Sequence, residues 1–420
     1  MNKKIIVSLI SAQSVPNMVL IKNNMDSEYF INIVTEGMSD NNSYLINTIN
    51  PQNNSEINNK FKQIKIQKHI ENNIEKITES ISSLKEIYDE SEQILVNITG
   101  GTKILSIALY QYFSEHYKNK SMLLYLNIDS ISTSYNILNT YGKLDMQQSI
   151  TLEEYLTSYG IEIVNNEDTK PKYPQNCANL LVKHAITAKG MFGDYKILDT
   201  KKALASFMNI LNEKYEKQLD THDSKLNIEK ELTLCEDKIK IYSNSIIEYI
   251  NYLHNTTKYL PDINNITYNA LKYINSGYFE EYLYYNIASI LPYKENVEDY
   301  LKTGVKIKVH NPKRKTYENI SNDQELDILF MYNNAIYYIE CKTYTSPKII
   351  NESIFKQAAI SNLLGLKKTN SFTTLNTYYE RTLKELTDKM TIYNINLITG
   401  NNIKQNKILL KLKELCNIKI

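Results

Sequence analysis

Short apolar runs alternate with longer amphipathic segments along the first 150 residues. Four of these runs have the length and β-branched content of strands: Lys4–Ile10, Tyr29–Thr35, Gln93–Asn97 and Ser121–Asp129. Ile66–Asp89 is long, polar and helix-periodic, and apolar residues recur at helical spacing in Ile104–Tyr112. Strand, helix and strand in this alternation predict a parallel, doubly wound α/β sheet.

The middle of the chain, from 151 to 275, has mostly helical periodicity. Lys201–Leu219 and Ile228–His254 carry amphipathic patterns with charged outer faces, and Asn165–Asn176 contains two prolines typical of a linker. These patterns predict a helical spacer without a strict heptad repeat.

Strand signals return after residue 277. Helices are predicted over Tyr278–Leu291 and Ile354–Leu366, and strands over Val305–His310, Leu326–Tyr332, Ala335–Cys341 and Thr391–Ile398. The chain is therefore predicted to consist of an α/β domain over 1–150, a helical segment over 151–275 and a second α/β domain over 276–420.

The composition of the chain excludes several classes of protein. The 48 Lys and Arg residues balance 47 Asp and Glu residues, which leaves a net charge of +1 and no global field for a polyanion. The four cysteines form no CxxC pair, which excludes a zinc ribbon and indicates a reducing, cytoplasmic compartment. No run of about 18 apolar residues is present, so no membrane span is predicted.

Two carboxylates are predicted to face each other in the C-terminal domain. Asn333 and Asn334 suit a two-residue type I′ turn, which would place Asp327 opposite Glu340 on one face of a hairpin. Opposed like charges destabilise a sheet, so removing one carboxylate is expected to stabilise the metal-free protein. A divalent cation would explain the pair, because hard cations bind carboxylate oxygens, and Lys342 could stabilise transition-state charge. A solvated hairpin face remains an equal alternative on geometry alone.

A glycine turn in the N-terminal domain has the features of an anion site. Asn97–Lys103 follows a strand and opens a helix, so backbone N–H groups and the helix N-terminus could meet a phosphate. Thr102 follows Gly101, so the loop is not a Walker A motif. A simple capped turn is the alternative.

The hairpin residues resemble the signature of PD-(D/E)xK nucleases. Asp327 stands on one strand and Glu340-Cys341-Lys342 on the next, while Leu326 replaces the nominal proline. This resemblance implies that Asp327, Glu340 and Lys342 are catalytic, with Mn²⁺ or Mg²⁺ held by the two acids. It also implies a metal-binding Glu on the first core helix. We assign Glu280, because a helical wheel puts Glu281 opposite the apolar face.

The N-terminal loops resemble the ligand loops of CARF domains, the Rossmann-like sensors of cyclic oligoadenylate in CRISPR systems. Ser8–Asn17 corresponds to the loop after the first strand, Asn97–Lys103 to the second loop, and Thr151–Gly160 to the exit from the domain. The resemblance implies that the following residues line the ligand site: Ser11, Gln13, Asn17, Asn97, Thr99, Gly100, Gly101, Thr102 and Lys103.

With both features in one chain, the sequence resembles the type III CRISPR accessory nucleases that join a CARF domain to a PD-(D/E)xK domain. This resemblance implies a cytoplasmic homodimer, activated by cyclic tetra-adenylate, that cuts single-stranded DNA, RNA or nicked duplex. Three alternatives stay open: a sensor that binds nucleic acid without cutting, a ring nuclease that degrades its own signal, and a restriction-type endonuclease. Asn311–Lys315 could contact a phosphate backbone, although a solvated loop is the commoner interpretation, and Gln357 is predicted at a solvated helix position.

Overall fold

The structure, a computed structural model, describes residues 3–127, 134–164, 169–187, 195–215, 224–311, 316–319, 325–343, 346–365 and 368–418. The predicted end of one strand at Asp129 and the basic residues 312–315 lie outside this part of the chain. None of the described helices is long and apolar enough to cross a membrane.

The N-terminal domain is built on a mixed sheet. Its described strands are β1 (Lys4–Leu9), β2 (Tyr29–Thr35), β3 (Phe61–Ile66), β4 (Gln93–Asn97), β5 (Ser121–Tyr125), β6 (Ser134–Ile137) and β7 (Gly142–Asp145). Their order is β3-β2-β1-β4-β5-β6-β7, with parallel pairing from β3 to β5 and antiparallel pairing beyond it. The predicted doubly wound sheet is confirmed, and its strand order reverses between β1 and β4, where such folds bind ligands.

The helices of this domain pack on both faces of the sheet. They are α1 (Val15–Lys22), α2 (Ser39–Ile49), α3 (Ser55–Lys60), α4 (Ile74–Ser82), α5 (Lys85–Glu90), α6 (Lys103–His116) and α7 (Leu152–Ser158). Successive side chains of a strand point to opposite faces of the sheet, so each strand contributes to two apolar clusters. Ile6 and Leu95 belong to one cluster, and Ile5 and Val96 belong to the other.

The predicted long helix over Ile66–Asp89 is wrong. Ile66 ends the edge strand β3, in which Ile64 and Ile66 are buried and alternate with exposed polar residues. A new helix starts only after Asn73, whose side chain accepts a hydrogen bond from the Lys76 amide as an N-cap. Strand alternation and capping therefore override the polar helical pattern.

The middle of the chain is helical, as predicted, after the short strand β8 (Ile161–Ile163). Its described helices are α8 (Gln175–Thr187), α9 (Tyr195–Tyr215), α10 (Ile228–Thr233), α11 (Asp237–Lys240), α12 (Ser243–Thr257), α13 (Tyr268–Lys272) and α14 (Tyr278–Ile290), with a π-helical turn over Tyr273–Gly277. The amphipathic pattern over Ile228–His254 belongs to three helices instead of one.

The C-terminal part combines strands and helices. Its described elements are α15 (Val297–Tyr300), β9 (Leu301–Val305), β10 (Ile307–Asn311), β11 (Thr316–Asn319), β12 (Leu326–Tyr332), β13 (Ala335–Lys342), α16 (Pro347–Leu363), β14 (Lys368–Thr374), α17 (Glu380–Ile392), β15 (Ile395–Ile398), α18 (Gly400–Lys404) and α19 (Ile408–Leu415). One described sheet has the order β15-β14-β13-β12-β9, and another has the order β11-β10-β8. The predicted strand over Val305–His310 is two strands, which belong to different sheets.

The chain forms two compact units, and neither is one continuous stretch. One unit comprises Met1–Asp168, Glu298–Tyr338 and Gln357–Thr369, and the other comprises Thr169–Val297, Ile339–Lys356 and Asn370–Ile420. The predicted boundaries at 150 and 275 do not coincide with this division. As a functional assignment to sensor, spacer and nuclease, they stay a prediction.

Candidate functional sites

The loops after β1 and β4 approach each other at the carboxyl edge of the parallel strands. Gly100 and Gly101 have φ values of 97° and 68°, a conformation that favours glycine. A Cβ atom on Gly100 would lie 2.5 Å from Ser11 Oγ, so the two loops touch at this point. Thr102 then caps α6, because its side chain accepts a hydrogen bond from the Leu105 amide.

Three polar residues predicted to line the ligand site are instead buried beneath the loops. The Asn17 side chain donates to the Leu9 carbonyl, and the Asn97 side chain donates to Asn17 Oδ1 at 2.6 Å. Asn97 Oδ1 accepts from the Thr99 amide, and Thr99 Oγ1 accepts from the Leu126 amide. Asn17, Asn97 and Thr99 thus hold the loops in shape beneath the cavity, and direct contact of these three residues with a ligand stays a prediction.

A cavity of about 600 Å³ opens above this network. Five predicted residues line it: Ser11, Gln13, Gly100, Gly101 and Thr102. Lys103, the first residue of α6, is exposed and is not among the lining residues. Other residues that line the cavity were not predicted as site residues: Ile10, Ala12, Thr35, Met38, Leu105, Tyr159, Asn362, Leu363 and Gly365.

The segment after α16 is anchored beside this cavity. Gly365 has a φ of 80°, and a Cβ atom there would lie 2.7 Å from Tyr159 Cζ. The Tyr155 hydroxyl donates to the Leu364 carbonyl at 2.6 Å, and both side chains are fully buried. The only sequence signal for this wall is that Tyr155 and Tyr159 lie in the predicted domain exit, Thr151–Gly160.

The predicted two-residue turn is present in the C-terminal hairpin. Asn333 and Asn334 have φ values of 50° and 57°, as a type I′ turn requires, and they join β12 directly to β13. The Asn334 side chain also accepts a hydrogen bond from the Ile150 amide. On β12, Asp327 is 8% exposed. The opposition of Asp327 to Glu340 remains a prediction from the register of such a turn.

Glu340 is 1% exposed and is bound by two ammonium groups. Lys342 Nζ lies 2.7 Å from one carboxylate oxygen, and Lys356 Nζ lies 2.8 Å from the other. Burial disfavours the charged form, yet the two lysines together hold the Glu340 pKa below its usual value. The acid is therefore compensated by two cations, which removes the physical reason to expect that its removal stabilises the protein.

Helix α14 orients its two acidic residues differently from the predicted wheel. Glu281 is buried and accepts hydrogen bonds from the Lys172 and Tyr173 amides, whereas Glu280 is half-buried. Burial raises the pKa of Glu281 to about 7, against the opposing effect of the amide donors. The expectation that Glu281 lies opposite the apolar face is therefore wrong, and tertiary packing against the 172–173 backbone is the reason.

The predicted metal ligands do not form a three-carboxylate group. Within the described residues, no cluster of three or more His, Cys, Asp or Glu side chains is arranged to hold a metal ion, and this includes Asp327, Glu340 and Glu280. Gln357, predicted at a solvated position of α16, is fully buried.

The N-terminal residues match a known family. The family model described as the Card1 CARF domain matches residues 5–155. Residues 5–155 therefore have the Rossmann-like fold of a CARF domain. The match ends within α7, in the segment predicted as the exit from this domain.

Solved structures with a similar fold span almost the whole chain. Protein VC1899 from Vibrio cholerae is 17% identical with a TM-score of 0.70, and the alignment covers 97% of both chains. Can2 from Sulfobacillus thermosulfidooxidans, solved in complex with cyclic tetra-adenylate, is 18% identical with a TM-score of 0.62 and 99% coverage of both chains. At these identities the likeness establishes the fold. A comparison with curated proteins finds no match.

Proposed function

We propose that the protein is a nuclease of type III CRISPR antiviral defence that cyclic oligoadenylate, most simply cyclic tetra-adenylate, activates. The observation that carries the proposal is the joint presence of a CARF-domain cavity and a buried Glu340 bound by Lys342 of the same strand. The fold likeness to Can2, which was solved with cyclic tetra-adenylate, supports this choice of activator.

The cavity suits a nucleotide ring whose phosphates meet backbone donors. Its described lining contains no charged side chain. Phosphate oxygens would therefore be bound by the N–H groups around Gly100 and Gly101 and by the N-terminus of α6. Ser11, Gln13 and Thr102 offer side-chain donors and acceptors to ribose and base edges.

Two observations support a homodimer around the ligand. A cavity of about 600 Å³ is within the range that holds one drug-sized ligand, so a four-nucleotide ring would need lining from a second copy. Ile107 and Tyr110, one turn apart on α6, are 53% and 42% exposed. An apolar face on the helix that starts at the cavity suits burial against the same face of a partner.

The nuclease site would be formed by Asp327, Glu340 and Lys342. Two carboxylates plus water and phosphate oxygens satisfy Mg²⁺ or Mn²⁺, so Asp327 and Glu340 would suffice for the cation if they face each other as the turn predicts. The cation would supply activation of water and neutralisation of phosphate charge. Lys342, which is 33% exposed and touches Glu340, would stabilise negative charge on the scissile phosphate.

The test is one cleavage assay on the full-length protein. Labelled RNA, single-stranded DNA and supercoiled plasmid are incubated with and without cyclic tetra-adenylate, in Mn²⁺, Mg²⁺ or EDTA. We expect cutting only with activator and metal. Activator binding without any cutting would favour the non-cleaving sensor, and loss of intact activator would reveal a ring nuclease. Activator-independent cutting at one duplex site would contradict the proposal.

A further inference from the structure

Lys356 occupies a position that the nuclease signature does not assign. It lies on α16, and its ammonium group is 2.8 Å from a Glu340 oxygen. Its side chain is only 17% exposed, about half the exposure of Lys342. A surface lysine would gain little from such a pair, whereas this one is held by burial against a carboxylate that is itself 2% exposed.

The charge around Glu340 opposes a divalent cation in this arrangement. Each carboxylate oxygen of Glu340 already accepts from one ammonium group, Lys342 on one side and Lys356 on the other. Bringing a doubly charged cation to the same oxygens adds repulsion from two nearby ammonium groups in a poorly solvated place. Withdrawal of one lysine would remove part of this repulsion and so favour binding of the cation by Glu340.

Lys342 and Lys356 differ in what could move them. Lys342 is fixed on β13, two residues from Glu340. Lys356 is on α16, and the same helix ends at residues that line the ligand cavity, Asn362 and Leu363. Six residues of helix separate Lys356 from Asn362, a rise of about 9 Å. The end of the helix is held by the buried Leu364 and the Tyr155 hydroxyl.

We propose that Lys356 is a positioning residue that keeps Glu340 ion-paired in the resting protein and that α16 withdraws when a ligand contacts the 362–365 wall of the cavity. This inference rests on the proposed nuclease function and adds its regulation. The ligand shifts the equilibrium toward the state without the Lys356 pair, and in that state Glu340 binds the cation more tightly. Lys342 stays in place for the reaction.

The test replaces Lys356 by Met, which keeps the aliphatic stem and removes the charge. Lys348→Met is the matched control, because Lys348 is on the same helix, is 85% exposed and pairs only loosely with Glu352 at 3.8 Å. Lys356→Arg keeps the ion pair. Each full-length variant is measured for cleavage without activator, for cleavage at saturating activator, and for Mn²⁺ affinity by calorimetry without activator.

We expect Lys356→Met to raise activator-free cleavage and Mn²⁺ affinity about tenfold each, while cleavage at saturating activator stays within about twofold of the parent. Lys348→Met and Lys356→Arg should behave as the parent. Equal activator dependence and Mn²⁺ affinity in Lys356→Met and Lys348→Met would overturn the inference, and so would loss of cleavage in Lys356→Met at saturating activator.

Misfolding of the variant and an inactive parent protein can be told apart from a failure of the inference. If Lys356→Met does not fold, Lys356→Gln is measured instead, and failure of both to fold would show a structural role and overturn the inference. If the parent protein cuts nothing under any condition, the proposed function fails. The calorimetric comparison of Lys356→Met with its control then still decides whether Lys356 opposes the cation.

Discussion

At Glu340, burial and charge compensation act on the same side chain. The carboxylate is 2% exposed and both of its oxygens are bound by lysines. Sequence spacing indicated the acid and Lys342 as a pair, but it contained no sign of Lys356, which lies 16 residues away on the next helix. The contact depends on how α16 packs.

Replacing Glu340 by Gln is expected to abolish cleavage, by at least about 100-fold, because an amide cannot neutralise a cation. It should also destabilise the protein by about 3 kcal/mol, since two ammonium groups lose their buried partner. Activator-dependent cleavage and urea denaturation measure the two effects. Glu352→Gln, at an exposed site of α16, is the control. Full cleavage, or a more stable variant, would contradict the assignment.

Glu281 predicts a pH dependence of stability. Its folded pKa of about 7 lies above the ordinary value of 4.5, so the folded state binds more protons between these values. Stability should therefore fall as pH rises from 4.5 to 7 and stay lower above that range, by about 3 kcal/mol at most.

The Glu281→Gln variant should lack this fall, because its amide oxygen still accepts from the Lys172 and Tyr173 amides without carrying a charge. The measurement is the urea midpoint of both proteins from pH 4.5 to 8.5. Glu295→Gln, at an exposed position, should keep the parent slope. A Glu281→Gln profile parallel to the parent would refute the proposed titration.

Among the elements, the ligand loops show what local sequence can specify. A strand, two glycines and a capping threonine predicted the Asn97–Lys103 turn, and Gly100 and Gly101 do adopt positive φ. Whether a polar side chain there faces the cavity or the interior depends on the neighbouring strand. Asn17, Asn97 and Thr99 face inward because amides and carbonyls of β1, β4 and the adjoining loops need partners.

Gly100→Ala should weaken activator binding at least tenfold. The new Cβ atom would meet Ser11 Oγ at 2.5 Å, and the φ of 97° strains any other residue. The measurement is the concentration of cyclic tetra-adenylate that gives half-maximal cleavage. Gly142→Ala is the matched control, because its Cβ would meet nothing closer than 3.5 Å. The same activation curve for both variants would exclude a ligand at these loops.

The boundaries of strands that are buried on both faces could be predicted from the sequence. The runs Tyr29–Thr35 and Gln93–Asn97 are strands with the predicted bounds, since fully buried parallel strands are continuously apolar. Ile66–Asp89 and Ile228–His254 were predicted as single helices, but caps and turns divide them. Of β3, only Ile66 lies within the predicted helix, and the N-cap at Asn73 starts α4 inside that segment.

For the whole molecule, the net charge of +1 limits how nucleic acid is recognised. Binding through a few phosphate contacts carries no base information, so cleavage should show little sequence preference. The affinity for nucleic acid should fall as the salt concentration rises. The slope of log affinity against log salt concentration should correspond to only a few phosphate contacts. Cleavage maps on unrelated single strands and a plasmid, at several salt concentrations, measure both. A strict site cut only in duplex would instead indicate a restriction-type enzyme.

The sequence by itself determined the parallel N-terminal sheet, its two ligand loops, the asparagine turn of the hairpin and the Glu340–Lys342 spacing. Each depends on residues close together in the chain, where strand period, backbone conformation and capping act. Only the tertiary structure decided that Asn362–Gly365 completes the cavity, that Glu281 is buried, and that Lys356 binds Glu340. These contacts join residues far apart in sequence or on separate elements. Packing selects them, and no local pattern encodes the partner.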